Sequence, residues 1–373
     1  MDRETMNEPR FILAAGGTGG HLWPALSLAL ALKKLRPAAD CLFVGTGRPV
    51  EAVILDPAGF RRVELKAGGW KGLGPVARLK GLRLAWAGFW QALGLLRSYR
   101  PLVCFGAGGY VTVPVGLAAW CLGVPLVIQE QNSRAGLSNK VLGRLAARIC
   151  LGFEEAAPAF PARRVLVTGN PVRPEITALR DMERNFDRRP LCVLVTGGSQ
   201  GARALNLAAA PALASLVRRG VAVKIIHQTG TADLAEVRRI YQEAGAEAEA
   251  AEFYQDMAAL YRRADLVVGR AGAITLAELA VAGLPAVLVP LPSSADGHQA
   301  ANAGFFERAG AALVLPQAGL SPETLAEVLG GLLSAPEKLA VMSRAAAGLA
   351  RLEADVRLAE ICLELAERPR KPK

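Results

Sequence analysis

With 373 residues, 52% of them hydrophobic and 21% charged, the chain is long enough for two cores and too apolar to be disordered. Its six cysteines stand singly in apolar stretches with no CxxC pair, which argues for reduced thiols and against a disulfide framework or a zinc module. The net charge of +11 is uneven: residues 1–173 carry 22 Lys and Arg against 10 Asp and Glu, the remainder 22 against 23, and a basic half without interleaved aromatics favours a phosphorylated or anionic-lipid partner over nucleic acid.

The polar opening "MDRETMNEPR" shows no signal-peptide pattern and leads into "FILAAGGTGGH", residues 11–21. This reads as a buried strand, a glycine turn and the start of a helix. Glycine is costly to order, and one would serve a tight turn. Four in five residues suit a loop whose N–H groups approach a phosphate at a helix N-terminus. The motif is neither GxGxxG nor a Walker A loop. His21 closes it, where a base titrating near neutral pH fits. After a strand at 41–44 comes "VARLKGLRLAWAGFWQALGLLRS", residues 76–98. Helical spacing sets Leu79, Leu82, Trp86, Trp90 and Leu93 on one stripe flanked by Lys80 and Arg83. Such a stripe suits a helix in the headgroup region of an anionic leaflet, and equally a core face. Residues 101–129 are uncharged and long enough to span a bilayer, but seven Gly and Pro interrupt them. They predict a strand, a glycine turn (Gly106, Gly108, Gly109), a short helix and a second strand.

"VTGNPVRPEI", residues 167–176, breaks the pattern and marks the domain boundary. Arg173 within it suits a diphosphate partner as a charge-assisted donor, and equally a surface role. Further strands are expected at 191–195, 223–227, 266–268 and 286–289, and "LCVLVTGGSQGA" repeats the strand, glycine loop and helix of the first half. Each half is therefore expected to be doubly wound, with ligands at the strands' carboxyl ends. His227, on an apolar strand end, reads as a structural hydrogen-bonder. Glu278, the only acid between Asp265 and Asp296, suits the two hydroxyls of a ribose, and a helix-dipole role is its alternative. No metal-ligand spacing occurs. Past Pro336, Leu349, Leu352, Val356, Ala359 and Leu363 predict an amphipathic helix, and the tail "RPRKPK" is basic. The expected domains are 1–170, 171–340 and a returning helix with its tail at 341–373.

"GGTGGHLWPAL", "GAGGYVTVPVGLAAW", "QEQNSRAGLSNK", "TGNPVR", "TGGSQGARALN", "DMAALYRRADLVVGRAGAITLAELAVAGLPAVLVP" and "GHQAANA" occur in the order of the MurG family of bacterial N-acetylglucosaminyltransferases, which the chain resembles from about residue 11 to 310. The resemblance implies an α/β GT-B fold: two Rossmann-like doubly wound parallel-sheet domains, a cleft between them, and a C-terminal helix crossing back. It implies inverting, metal-independent and cofactor-free transfer of GlcNAc from UDP-GlcNAc to the C4 hydroxyl of MurNAc in lipid I, giving lipid II for peptidoglycan. The implied setting is peripheral, on the cytoplasmic face of the inner membrane. The implied partners are the anionic inner leaflet and other cell-wall synthesis proteins, with no nucleic acid. Donor contacts carry over to Thr18, Gly19, Gly20, Asn132, Arg173, Ser199, Ala273, Ile274, Thr275, Leu276, Ala277, Glu278 and Gln299, and to Tyr254 through its backbone. His21 is the candidate base. Gln129 stands where the family usually has histidine. Glutamine keeps hydrogen bonds but not titration, so the position reads as structural. The alternative is another nucleotide-sugar enzyme of the same fold, a soluble-acceptor glycosyltransferase or a UDP-GlcNAc 2-epimerase.

Overall fold

Runs that are apolar on both faces become the central strands of two parallel sheets, because such strands need cover on both sides. The computed structural model describes residues 8–17, 19–66, 75–198 and 201–369, with the side chains of residues 75–80, Leu82 and Ala295 outside that description. Among the sequence expectations, Thr18 and Ser199, and the side chains of Leu79, Lys80 and Leu82, lie outside the described residues. The chain divides into two units, Met1–Arg173 with Arg351–Lys373, and Pro174–Ala350.

The first unit's described strands are β1 (Arg10–Ala14), β2 (Asp40–Gly45), β3 (Arg61–Glu64), β4 (Val103–Gly106), β5 (Leu126–Glu130), β6 (Arg148–Leu151) and β7 (Val165–Val167). They pair in the order β3-β2-β1-β4-β5-β6-β7, all parallel. Their helices are α1 (Gly19–Leu35), α2 (Pro49–Leu55), α3 (Pro75–Tyr99), α4 (Thr112–Cys121) and α5 (Leu137–Leu142). Residues 101–129 thus become β4, α4 and β5. Among the described residues no helix is long and apolar enough to cross a membrane.

The second unit runs α6 (Pro174–Thr177), β8 (Leu191–Thr196), α7 (Arg203–Arg218), β9 (Val223–Gln228), α8 (Leu234–Glu243), β10 (Ala248–Ala251), α9 (Met257–Arg263), β11 (Leu266–Gly269), α10 (Ala273–Val281), β12 (Ala286–Leu288), α11 (His298–Arg308), β13 (Ala312–Val314), α12 (Pro322–Leu333) and α13 (Pro336–Gly348). Its sheet order is β10-β9-β8-β11-β12-β13. Each sheet reverses its winding between two central strands, β1 and β4 in one unit and β8 and β11 in the other. The loops leaving those strands are therefore the ones free to diverge and bind. In both units they are the glycine loops.

α14 (Ala354–Glu367) returns to the first unit and packs on α1. Gly169 (φ +84°) permits the return, since a Cβ there would meet the Arg351 side chain. The C-terminal pattern differs from its expectation in two ways. It is two helices, α13 and α14, and the buried face of α14 is Leu358, Ala359, Ile361, Cys362 and Leu365, whereas Val356 and Leu363 are half-buried. The cut expected at 340/341 would fall inside α13, whose neighbours are α10 and α12 of the second unit. The cut expected at 170/171 moves to 173/174, leaving Arg173 with the first unit.

The stripe expected on α3 also divides. Ala92, Leu93 and Leu96 are buried in the core shared with α4, while Trp86 and Trp90 are 64% and 54% exposed. The small residues decide this. Gly88 passes so close to the Lys66 carbonyl that no Cβ would fit, which turns the Gly88–Ala92 side of the helix inward and the indoles outward.

Candidate active site

In the first unit the loop after β1 carries Gly16 and Gly17 into the first turn of α1, where Gly19, Gly20 and His21 stand. The loop after β4 lies beside it and makes a seat for the imidazole. Gly108 and Gly109 have φ of +95° and +80°. A Cβ on Gly108 would sit 3.1 Å from His21 Cε1, and one on Gly109 would sit 3.5 Å from Cδ2. Glycine is thus needed here both for the left-handed backbone and for the approach of the ring. His21 is half-buried, at the mouth of both loops.

Buried carboxylates brace the loops after β1, β2 and β5. Glu51, in the first turn of α2 and 1% exposed, accepts from Thr46 N (2.9 and 3.0 Å), Thr46 Oγ1 (2.8 Å), Gly47 N (2.9 Å) and Gly17 N (3.3 Å). Glu130, at the end of β5, accepts from Asn132 N (3.0 Å), Asn132 Nδ2 (3.2 Å), Gly136 N (2.8 Å) and Asn139 Nδ2 (2.9 Å). Asn132 is therefore held by the carboxylate two residues before it. Sequence reasoning missed both acids. Glu130 had a signal, as the first charge after an uncharged stretch of almost thirty residues. Glu51 had none. Gln129 is fully buried and its carbonyl accepts from Asn139 Nδ2 at 2.9 Å. Arg173 places its guanidinium over the Trp23 ring, 5.0 Å from the centroid, a cation–π contact that orients it near the first turn of α1.

In the second unit the glycine loop after β8 crosses the end of β9. Gly201 (φ +73°) runs so close to the Thr229 carbonyl that a Cβ would overlap it. Gln228, 2% exposed, donates to Gly198 O at 2.9 Å and accepts from Tyr254 N at 3.1 Å. One buried amide thus couples the glycine loop to the Tyr254 backbone, a link with no sequence signal. Ala273 to Glu278 form the first turns of α10, which starts after Gly272. Glu278 is 5% exposed, and its Oε2 accepts from Tyr261 Oη at 3.0 Å. Gln299, in the first turn of α11, accepts from Leu291 N at 3.0 Å and so fixes the loop after β12. Among the described residues no group of three or more His, Cys, Asp or Glu is placed to hold a metal ion.

His227 is fully buried, with Nδ1 2.9 Å from Tyr241 Oη and Nε2 3.1 Å from Asn206 Oδ1. Asn206 Nδ2 donates to Thr229 O (2.7 Å) and Asp233 Oδ2 (2.8 Å), so its oxygen accepts from His227 Nε2–H and the ring's Nδ1 accepts from the tyrosine. Burial pushes the imidazole down from 6.5 to about 3. The folded chain therefore binds fewer protons than the unfolded one between those values, and stability falls as pH drops through that window. His227→Gln is expected to flatten this acid limb. Calorimetric unfolding at pH 7.5 and 5 should show a smaller loss for the variant; an equal loss would remove His227 as the cause.

Residues 11–151 match the glycosyltransferase family 28 N-terminal domain and residues 192–358 the glycosyltransferase family 28 C-terminal domain. A protein of Anaeromyxobacter dehalogenans named UDP-N-acetylglucosamine–N-acetylmuramyl-(pentapeptide) pyrophosphoryl-undecaprenol N-acetylglucosamine transferase is 42% identical, over 96% of this chain and 94% of its own. The crystal structure of Acinetobacter baumannii MurG superposes with a TM-score of 0.78 at 32% identity, covering 95% of this chain and all of that one. A UDP-N-acetylglucosamine 2-epimerase structure matches at a TM-score of 0.68 but only 16% identity, over 99% of each chain, a likeness of fold alone. Near-complete coverage at 42% identity is a likeness of lineage as well as of fold, and the chain belongs to glycosyltransferase family 28, among its MurG members.

Proposed function

We propose that the chain transfers GlcNAc from UDP-GlcNAc to the C4 hydroxyl of MurNAc in lipid I, with inversion and without a metal, giving lipid II. The observation that carries this is the 42% identity, over nearly the whole chain, to a transferase named for that donor sugar and lipid-linked acceptor. In this reading His21 removes the C4 hydroxyl proton as that oxygen attacks the anomeric carbon. The bond to the diphosphate breaks, and UDP leaves with its pair of electrons. Thr18, Gly19, Gly20, Ser199 and the start of α10 (Ala273, Ile274, Thr275, Leu276, Ala277) offer N–H groups and hydroxyls to the donor, with Arg173 as the cationic partner of the leaving charge. Such preorganised donors stabilise charge developing in the transition state. Asn132 and Gln299 orient the sugar, the Tyr254 backbone faces the uracil, and Glu278 accepts from the ribose hydroxyls.

The test is transfer of label from UDP-GlcNAc to a lipid I analogue, with UDP-GalNAc as control. Label in the lipid product with the first donor alone is expected. Transfer only to water-soluble sugars, or conversion of the donor to UDP-N-acetylmannosamine, would overturn the reading in favour of another enzyme of this fold.

The acceptor's lipid tail requires work at a membrane surface, and we place the first unit there, on the cytoplasmic leaflet. The basic excess of residues 1–173 supports this, as do the exposed indoles of Trp86, Trp90 and Trp120 in that unit. Attachment is peripheral. Each basic residue near an anionic surface contributes about 1 kcal/mol, so Lys80→Glu with Arg83→Glu is expected to weaken binding to anionic vesicles at least about tenfold. UDP binding should be unchanged. Equal vesicle binding of parent and variant at low and high salt would sink the placement.

A further inference from the structure

Glu278 does not hold its own orientation. A glutamate on a helix has three side-chain torsions, and fixing them costs conformational freedom at the moment of binding unless something has fixed them beforehand. Here that something comes from the neighbouring helix. Tyr261, on α9 and 1% exposed, donates its hydroxyl to Glu278 Oε2 at 3.0 Å. The tyrosine is itself pinned. Asp256 caps the start of α9 by accepting from Ala259 N at 2.9 Å. The half-buried Arg184 guanidinium donates to the carbonyls of Tyr261 (3.0 Å), Ala264 (2.6 Å) and Ala282 (2.9 and 2.7 Å). It thereby ties the end of α9 to the end of α10, the helix that carries Glu278. Phenol and carboxylate sit on two helices locked together by one cation, so their bond has a fixed direction.

We propose that Tyr261 is a positioning residue that sets the donor's ribose selectivity through Glu278; the proposal rests on the reading of Glu278 as the ribose acceptor. A carboxylate whose Oε2 accepts from the tyrosine cannot swing out of the plane in which it meets two vicinal hydroxyls without losing a buried hydrogen bond. Recognition of a 2′,3′-diol is more demanding of that plane than recognition of a single hydroxyl. The tyrosine therefore acts on discrimination between ribose and 2′-deoxyribose rather than on chemistry at the anomeric carbon.

The experiment compares UDP with 2′-deoxy-UDP by calorimetry on the full chain, for the parent, Tyr261→Phe, Glu278→Ala and the double variant. The parent is expected to prefer UDP by about tenfold or more, as one hydrogen bond to a charged group can supply. Tyr261→Phe keeps the ring and its packing. It is expected to lower UDP affinity about three- to tenfold, leave 2′-deoxy-UDP within about twofold, and so erase most of the preference, with kcat unchanged at saturating donor. In the Glu278→Ala background the same change should cost nothing further. A merely structural tyrosine would lower the melting temperature and weaken both nucleotides equally, and that result overturns the proposal. If Glu278→Ala itself leaves the preference intact, Glu278 is not the ribose acceptor, and the donor-site reading fails before the positioning argument is reached. If Glu278→Ala erases the preference and Tyr261→Phe does not, the positioning argument alone fails.

Discussion

His21→Ala is expected to lower turnover by on the order of 10²–10⁴-fold, the usual contribution of a positioned general base. UDP affinity should stay within about twofold, because a base acts in the transition state and not on the bound donor. The geometry makes this a sharp expectation. The imidazole lies against Gly108 and Gly109, whose missing side chains define its seat, so the ring is oriented before any acceptor arrives. Single-turnover transfer and calorimetric UDP binding, run on the same preparation, separate the two effects. Gly108→Ala is the companion variant: its Cβ would lie 3.1 Å from His21 Cε1, on a backbone with φ of +95°. It should displace the ring and depress turnover while the imidazole is still present. If His21→Ala keeps turnover within a few-fold of the parent, the histidine only packs two glycine loops together, and the base lies elsewhere.

How much of this was legible in the sequence depends on the range of the interaction concerned. The central strands were readable because each is apolar on both faces over four or more residues; β1, β4, β8 and β11 are all buried along nearly their whole length. β3 (RRVE) and β10 (AEAA) escaped notice because each is an edge strand, half-exposed and carrying charge, as edges usually do. The glycine loops were readable because their cost demands a reason. The face of α3 was not, because its large residues carry the visible pattern while its small ones govern the packing. Gly88 and Ala92 set the packing, and Trp86 and Trp90 took what was left. Partnerships were the hardest to see. Tyr261 with Glu278, Gln228 with Tyr254, and Glu51 with Gly17 join residues on different elements. No local periodicity encodes such a pair, since each bond exists only after the sheet has set the register of the loops.

Glu51 shows what that blind spot conceals, and its removal carries the largest expected loss of stability. Its carboxylate accepts from three backbone N–H groups and one hydroxyl in an environment that leaves the residue 1% exposed. Each buried donor left without an acceptor costs about 1–3 kcal/mol. Relief of the carboxylate's own desolvation and entry of water offset part of this. Glu51→Ala is therefore expected to destabilise the first unit by about 3 kcal/mol. Glu51→Gln should recover less than its shape suggests, because its amide presents an NH₂ group to Thr46 N–H and Gly47 N–H, donor against donor. The measurement is unusually selective. All five tryptophans (Trp23, Trp70, Trp86, Trp90 and Trp120) lie in the first unit, so tryptophan fluorescence in a urea titration follows that unit's unfolding alone. A shift below about 1 kcal/mol for Glu51→Ala would mean that the chain holds these loops without the carboxylate. The functional arm follows from Gly17, whose N–H donates to Glu51 Oε1 one residue before Thr18. At a temperature where both proteins are folded, Glu51→Ala should still lose turnover, because the loop that leads into His21, the proposed base, is no longer anchored. Full turnover in a destabilised variant would separate the brace from the site and leave Glu51 a purely structural acid.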